Sequence, residues 1–240
     1  MDFDILKTVV ISRQSIREFS NKQIAPGVLE TILGYSLRTP TSMNLQPYRM
    51  ILVRDSSIKE KLANCMSQKN APVVREADVS IIMCSEMDSK KCISDFGKFA
   101  YQENWKKQTK RIQLYASSKY TLNTLIHVMF GWIYDVFAFF IRLFRPFSSR
   151  ITMQAWSQQQ VAFLIENICL LAESSGLNSV IMNGYSEAKV QEAFKIPYNF
   201  QVSAVIALGY KKEECNPRRK GRFPFGKLFV DVIIDRICSI

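Results

Sequence analysis

Histidine is nearly missing from this chain, with His127 the only one among 240 residues. A Ser/His/Asp triad, a Cys/His pair or a histidine-based metal site would each have to use it. It stands inside an aromatic run, where a lone histidine is ordinarily structural. No two of the nine glycines are separated by a single residue. That excludes GxGxxG, and no GxxxxGK[ST] occurs either, so a Rossmann-bound dinucleotide and a P-loop nucleotide are both disfavoured. The six cysteines (Cys65, Cys84, Cys92, Cys169, Cys215 and Cys238) form no CxxC pair. Reduced thiols in a cytosol are the simplest reading, and no metal site is expected. Met1-Asp2-Phe3-Asp4 lacks the basic and apolar regions of a secretory signal, which makes a cytoplasmic location the expectation.

Stretches rich in Pro, Gly and Ser are lacking too, and with 48% hydrophobic residues the chain can bury one sizeable core. A single domain over residues 1–240 is expected. The net charge of +11 gathers in two places. The first holds Lys98, Lys106, Lys107, Lys110, Arg111 and Lys119 and reads as a solvated helix face. The second holds Lys211, Lys212, Arg218, Arg219, Lys220, Arg222 and Lys227. Neither comes with zinc-finger spacing or an RNP-like sequence, so nucleic acid is not an expected partner, and a phosphate on a small ligand is the better match.

Apolar spacing predicts helices over Phe3, Leu6, Val9 and Val10, and over Val28, Leu29, Ile32 and Leu33 behind Pro26. Residues 49–53 read as a strand. Ser57 and Glu60 read as a capping box for the helix that follows, and residues 78–84 as a second strand. The strongest helical pattern covers residues 157–175, closed by Gly176. A short strand at 180–182, a helix opened by Ser186, a buried strand at 202–208 and a last strand at 228–234 complete the chain. Helices and strands alternate irregularly, which gives an α+β fold with a mixed, mostly antiparallel sheet.

Residues 89–154 differ in character and read as an insertion into a core of residues 1–88 and 155–240. The segment is polar and basic first, then aromatic over residues 125–144. His127, Asp135 and Arg142 argue against a membrane span. A helical excursion packed over the active site or a dimer is the preferred reading, with Trp132, Tyr134 and Phe137 as candidate stacking surfaces. Contact of residues 122–147 with a membrane surface, flanked by Arg142, Arg145 and Arg150, is the competing one.

Three separated motifs remain. Ser12-Arg13-Gln14-Ser15-Ile16-Arg17-Glu18-Phe19 has the form R-x-S-x-R-x-F. Pro40-Thr41-Ser42-Met43-Asn44-Leu45-Gln46-Pro47-Tyr48 combines short polar side chains with a turn-forming proline. Gly176-Leu177-Asn178-Ser179 leads through Asn183-Gly184-Tyr185 towards Ala207-Leu208-Gly209-Tyr210. Together they resemble the nitroreductase family, with the resemblance covering roughly residues 6–70 and 156–234.

That resemblance implies a three-layer α/β/α fold with a helical insertion, a domain-swapped homodimer and FMN as cofactor. It places Arg13, Gln14 and Ser15 towards the phosphate and ribityl chain, and Arg17 at the N1/O2 edge where the reduced flavin gathers charge. Pro40, Thr41, Ser42 and Asn44 would come from the opposite subunit. Asn70 would face the pyrimidine edge, and the backbone of Asn183 or Gly184 would meet flavin N5. Lys220 and Arg222, in Lys220-Gly221-Arg222-Phe223-Pro224, would close on the phosphate.

No side chain is implied as a catalytic acid, base or nucleophile. NADPH or NADH would serve as electron donor, and a nitroaromatic or quinone as acceptor, in ping-pong order. The same fold also hosts dehalogenases and flavin-cleaving enzymes, and a non-catalytic FMN-binding or redox-sensing module is a further alternative. The chain departs from the family pattern at Asn183, Val73, Tyr48 and Gln14, where many relatives carry an acidic residue, Lys, Trp, and Arg or His.

Overall fold

A computed structural model describes residues 3–101, 152–215, 217 and 221–224, together with 129, 130, 132, 133, 136 and 140. In chain order the elements are α1 (Phe3–Ser12), α2 (Val28–Ser36), a single 3-10 turn (Ser42–Asn44), β1 (Tyr48–Val53), α3 (Ser56–Ala63) and α4 (Ala71–Glu76). They continue with β2 (Val79–Glu86), α5 (Ser89–Tyr101), α6 (Met153–Ser174), β3 (Asn178–Met182), α7 (Glu187–Phe194) and β4 (Phe200–Gly209).

The four strands form one sheet in the order β1-β2-β4-β3, with every neighbouring pair antiparallel. The only parallel pairing among the described residues is an isolated bridge between Ser15 and Ser179. The expected strand at 228–234 lies outside the described residues.

Alternation along the two central strands explains the layering. Val79, Ile81 and Met83 of β2 and Ala204, Ile206 and Leu208 of β4 pack under α2 and α6. Ile82 and Cys84, with Val202, Val205 and Ala207, pack under α3, α4 and α7. All eight residues of β2 are buried, as a strand covered on both faces requires. The result is helix, sheet, helix, as the family resemblance implies. α6 is the main support, with Val161, Leu164, Ile168, Cys169 and Ala172 all at 0% exposure. It ends in a Schellman motif: Leu177 N donates to Ala172 O, Gly176 N donates to Glu173 O, and Gly176 takes the left-handed φ of 75°.

Local expectations needed two corrections. The N-cap of α3 is Asp55, whose carboxylate accepts from Ser57 N and Ile58 N; Glu60 instead pairs with Arg75 across to α4. The capping box at Ser57 is therefore not formed. Helix α6 begins at Met153, capped by Thr152, four residues before the start read from the sequence. The beginning of the insertion packs against the core, with Ile93 and Phe96 of α5 beside Leu45, Met153 and Trp156.

Asp55 has a pH signature. Its hydrogen bonds from Ser57 and Ile58 lower its pKa below the usual aspartate value. A depressed carboxylate contributes stability above its unfolded pKa, and that contribution fades as pH falls from about 4 downward. Asp55→Ala should lower the thermal midpoint at pH 7 and converge on the parent below that range, as thermal melts against pH would show.

Candidate functional site

The motif segments meet the sheet at the two ends of β3. Ile16 N donates to Ser179 O at 3.0 Å, which fixes residues 13–17 beside the start of the strand. Arg13 and Gln14 are half-buried there, and Ser15 and Arg17 are exposed. Phe19 anchors this strip. It is fully buried, bridges to Lys211, and lies against Gly209, where an added Cβ would stand 3.0 Å from the ring. Glu76 clamps the crossing by accepting from Phe19 N at 3.3 Å and from Lys212 Nζ at 2.9 Å. Lys212 is thus held by a carboxylate.

At the far end of β3, Gly184 O accepts from Ser67 N at 2.8 Å and from Asn70 Nδ2 at 3.2 Å. Asn70, Asn183 and Gly184 are therefore gathered at one point. The Gly184 amide donates to none of the described residues. A Cβ at this position would lie 2.7 Å from Asn70 Nδ2 and 2.8 Å from Ser67 Oγ, so both side chains would have to turn aside. Gly184→Ala should therefore cost about 0.5–1.5 kcal/mol as the Asn70–Gly184 hydrogen bond is displaced. A urea midpoint equal to the parent's would contradict this.

Beside Asn183 opens a cavity of about 490 Å³ between the first half of α6 and the ends of β3 and β4. Gln158, Ala162 and Glu166 line it from α6, and Gln201 and Ser203 from β4. The register of β2 against β4 slips between Met83 and Cys84, leaving Ser203 as the extra residue of a bulge. β3 has ended at this level, and side chains replace its ladder: Val202 N donates to Glu187 Oε1 at 3.0 Å, and Tyr185 OH donates to Val202 O at 2.7 Å. Burial first, and Glu187 second, push the Tyr185 pKa up to about 12, so the phenol keeps its proton and remains a donor. Gln201 Oε1 and Ser203 Oγ are buried with no partner, which marks the cavity as polar in part.

Residues 40–47 form a third structure. Met43, Asn44 and Gln46 all take left-handed backbone angles, with φ of 55°, 55° and 48°. Each costs of order 1–3 kcal/mol and persists only where the surroundings impose it. Here Ser42 N donates to the buried Gln160 of α6 at 2.8 Å, Gln46 N donates to Thr41 Oγ1 at 3.2 Å, and Leu45 is sunk beside Trp156. Pro40, Ser42 and Asn44 are exposed, and Thr41 is half-buried. Among the described residues the hydrogen bonds of this loop include those to α6, to β2, where Glu86 N donates to Pro47 O at 2.9 Å, and within the loop itself. Arg222 is exposed, with its guanidinium 3.4 Å from Gly221 O, and Lys220 lies outside the described residues.

Sequence reasoning missed the residues that shape the cavity, Gln158, Glu166, Glu187, Gln201 and Ser203, and gave Tyr185 only as the end of the third motif, with no role. No local pattern marks them, because a bulge and a strand end bring them together. The four buried cysteines offer no alternative chemistry. Burial pushes Cys84 and Cys92 up to about 12 and raises Cys65 and Cys169, which keeps these thiols protonated. Among the described residues no group of three His, Cys, Asp or Glu could hold a metal.

Solved structures share this architecture. A nitroreductase family protein from Streptococcus pneumoniae superposes with a TM-score of 0.73 at 18% identity, covering 96% of this chain and all of that one. A nitroreductase-like protein from Exiguobacterium sibiricum, solved in complex with FMN, gives a TM-score of 0.66 at 19% identity, covering 97% and 98%. The fold is thus the three-layer nitroreductase fold. Among curated relatives, an NADH dehydrogenase of Thermus thermophilus is 26% identical over 89% of this chain and 90% of its own. An oxygen-insensitive NADPH nitroreductase of Helicobacter pylori is 21% identical over 92% and 94%. The model of the nitroreductase family matches residues 10–210, and the chain belongs to that family.

Proposed function

We propose that this chain is an FMN-dependent oxidoreductase that carries hydride from NADPH or NADH to a small acceptor of the nitroaromatic or quinone type. The observation that carries this reading is the end of β3. There the Gly184 carbonyl is locked by Ser67 and Asn70, its amide donates to none of the described residues, and a polar-lined cavity opens beside Asn183. A fixed backbone donor with no side chain to obstruct it suits a flat heteroaromatic ring. The strained loop at residues 40–47 also fits, since backbone held in sparsely populated conformations concentrates at ligand sites.

FMN, when bound, supplies reversible hydride acceptance and donation at N5. The chain then has to bind and orient rather than react. Arg13, Gln14 and Ser15 would hold the phosphate and ribityl chain, with Arg17 as the cation near the ring edge that gathers negative charge. Asn70 would serve the pyrimidine edge through the amide that already holds Gly184. Lys220 and Arg222 would complete the phosphate site. A site with a single histidine in its sequence and a Tyr185 that keeps its proton needs no acid-base pair of its own.

The active unit we propose is a homodimer in which Pro40, Thr41, Ser42 and Asn44 serve the partner's flavin. Support comes from α1: none of its residues is buried, and Phe3, Ile5 and Leu6 are 74%, 65% and 53% exposed. An isolated ten-residue helix is marginal in water and needs a surface to lie on. Reduced buried thiols suit a cytosolic site of action. Steady-state kinetics with NADPH and a nitroaromatic should give parallel double-reciprocal lines, as donor and acceptor use one slot in turn. Converging lines would count against the shared slot.

A further inference from the structure

Residues 41–46 hold a shape that their own backbone preferences oppose. Met43, Asn44 and Gln46 all carry a Cβ yet take φ of 55°, 55° and 48°, and such angles persist only where neighbours impose them. Leu45, 4% exposed, packs with Ile93 of α5 and with Met153 and Trp156 of α6. That fixes one apolar point. Among the described residues, a single hydrogen bond ties residues 41–45 to another element: Ser42 N donates to Gln160 Oε1 of α6 at 2.8 Å. Their other bonds stay inside the turn, where Asn44 N donates to Thr41 O at 2.9 Å and Gln46 N to Thr41 Oγ1 at 3.2 Å.

Gln160 is itself held. It is 2% exposed, and its Nε2 donates to Trp156 O at 3.3 Å, one turn back along α6. A carboxamide accepts through its oxygen while it donates through its nitrogen, so the two bonds together set the direction in which that oxygen meets Ser42. We propose that Gln160 is a positioning residue, which fixes the turn so that Thr41, Ser42 and Asn44 are already in place for the flavin of the second subunit. The inference rests on the flavin and homodimer reading above. Its side chain is buried and acts through the turn, and a turn set in advance removes an ordering cost from ligand binding. The effect therefore falls on affinity.

The test compares the full parent chain with Gln160→Met, which keeps the length of the side chain and removes its acceptor, and with Val190→Ala, a buried deletion on the other face of the sheet. Hydrogen exchange read by mass spectrometry over residues 41–46, without flavin, should show protection in the parent and about tenfold faster exchange in Gln160→Met. Fluorescence titration with FMN should give that variant about tenfold weaker binding, the effect of one lost hydrogen bond on a held turn. Val190→Ala should lower the thermal midpoint and leave both readouts at the parent's values. An unprotected turn in the parent would overturn the proposal whether or not the variant folds. So would parental exchange or parental FMN affinity in Gln160→Met, with the flavin reading left standing. An equal loss of affinity in Val190→Ala would overturn it too, by making the effect one of stability. A parent that binds no FMN would overturn the flavin reading and this inference with it.

Discussion

Arg13→Ala is expected to weaken FMN binding by roughly ten- to hundredfold, because a charge-assisted hydrogen bond contributes about 1.5–3 kcal/mol and each 1.4 kcal/mol is a factor of ten. The expectation rests on how the residue is presented. Arg13 follows directly on α1 with its own amide bonded to Val9 O, and the Ile16–Ser179 bond fixes the strip that carries it. The backbone is therefore set before a ligand arrives, and little ordering cost offsets the bond. Arg13→Lys should restore part of the affinity through its charge, but not the fork geometry that meets two phosphate oxygens. The residue is only half-buried, so the thermal midpoint of the flavin-free chain should scarcely change. Fluorescence titration with FMN measures the effect, and an unchanged Kd for Arg13→Ala would remove the strip from the site.

Phe19→Ala should cost about 3–5 kcal/mol of folding stability, the usual range for deleting a buried aromatic side chain. The ring is fully buried and seated against Gly209, with the Glu76 carboxylate tying its amide to Lys212. Nothing adjacent can close the space easily, because Gly209 has no side chain and lies at the end of a central strand. Phe19→Leu keeps most of the volume and should cost under about 1.5 kcal/mol. Urea unfolding separates these cases, and a loss below about 1 kcal/mol for the alanine variant would show that the strip is not anchored here. Phe19 thus supports the fold, while Arg13 and Arg17 are the residues of this motif proposed to serve the ligand.

Elements whose apolar period is unbroken were legible in the sequence. α6, β2 and β4 follow from their own residues, since a helix buried along one stripe and a strand buried on both faces leave distinct patterns. Boundaries were harder to read. Asp55 takes the cap from Ser57 because its carboxylate reaches two amides at once, and Met153 and Trp156 belong to α6 although the residues before them look like insertion. The short helix α4 escaped notice because its six residues are too few to show a period.

Of the proposed site, the part that rests on side-chain identity in a fixed spacing, Arg13-x-Ser15-x-Arg17 and Thr41-Ser42-Met43-Asn44, could be read from the sequence as a proposal. It was not legible where it depends on the paths of separate strands. Tyr185 and Glu187 matter because β3 stops short and leaves Val202 to be satisfied by side chains, and Ser203 matters because it is the bulged residue. Such roles are set by topology, and no run of residues announces them. The pairing of Asn70 with Gly184, 114 positions apart, is of the same kind.

The proposed function is flavin-dependent hydride transfer at these residues. Its most direct test is the visible spectrum of the full chain purified without added flavin, recorded before and after NADPH is added in the absence of oxygen. A yellow protein whose flavin absorption bleaches with NADPH, and returns when a nitroaromatic or quinone is admitted, is the predicted result. A colourless protein that gains no absorption after incubation with FMN, or a yellow one that neither NADPH nor NADH bleaches, would contradict it.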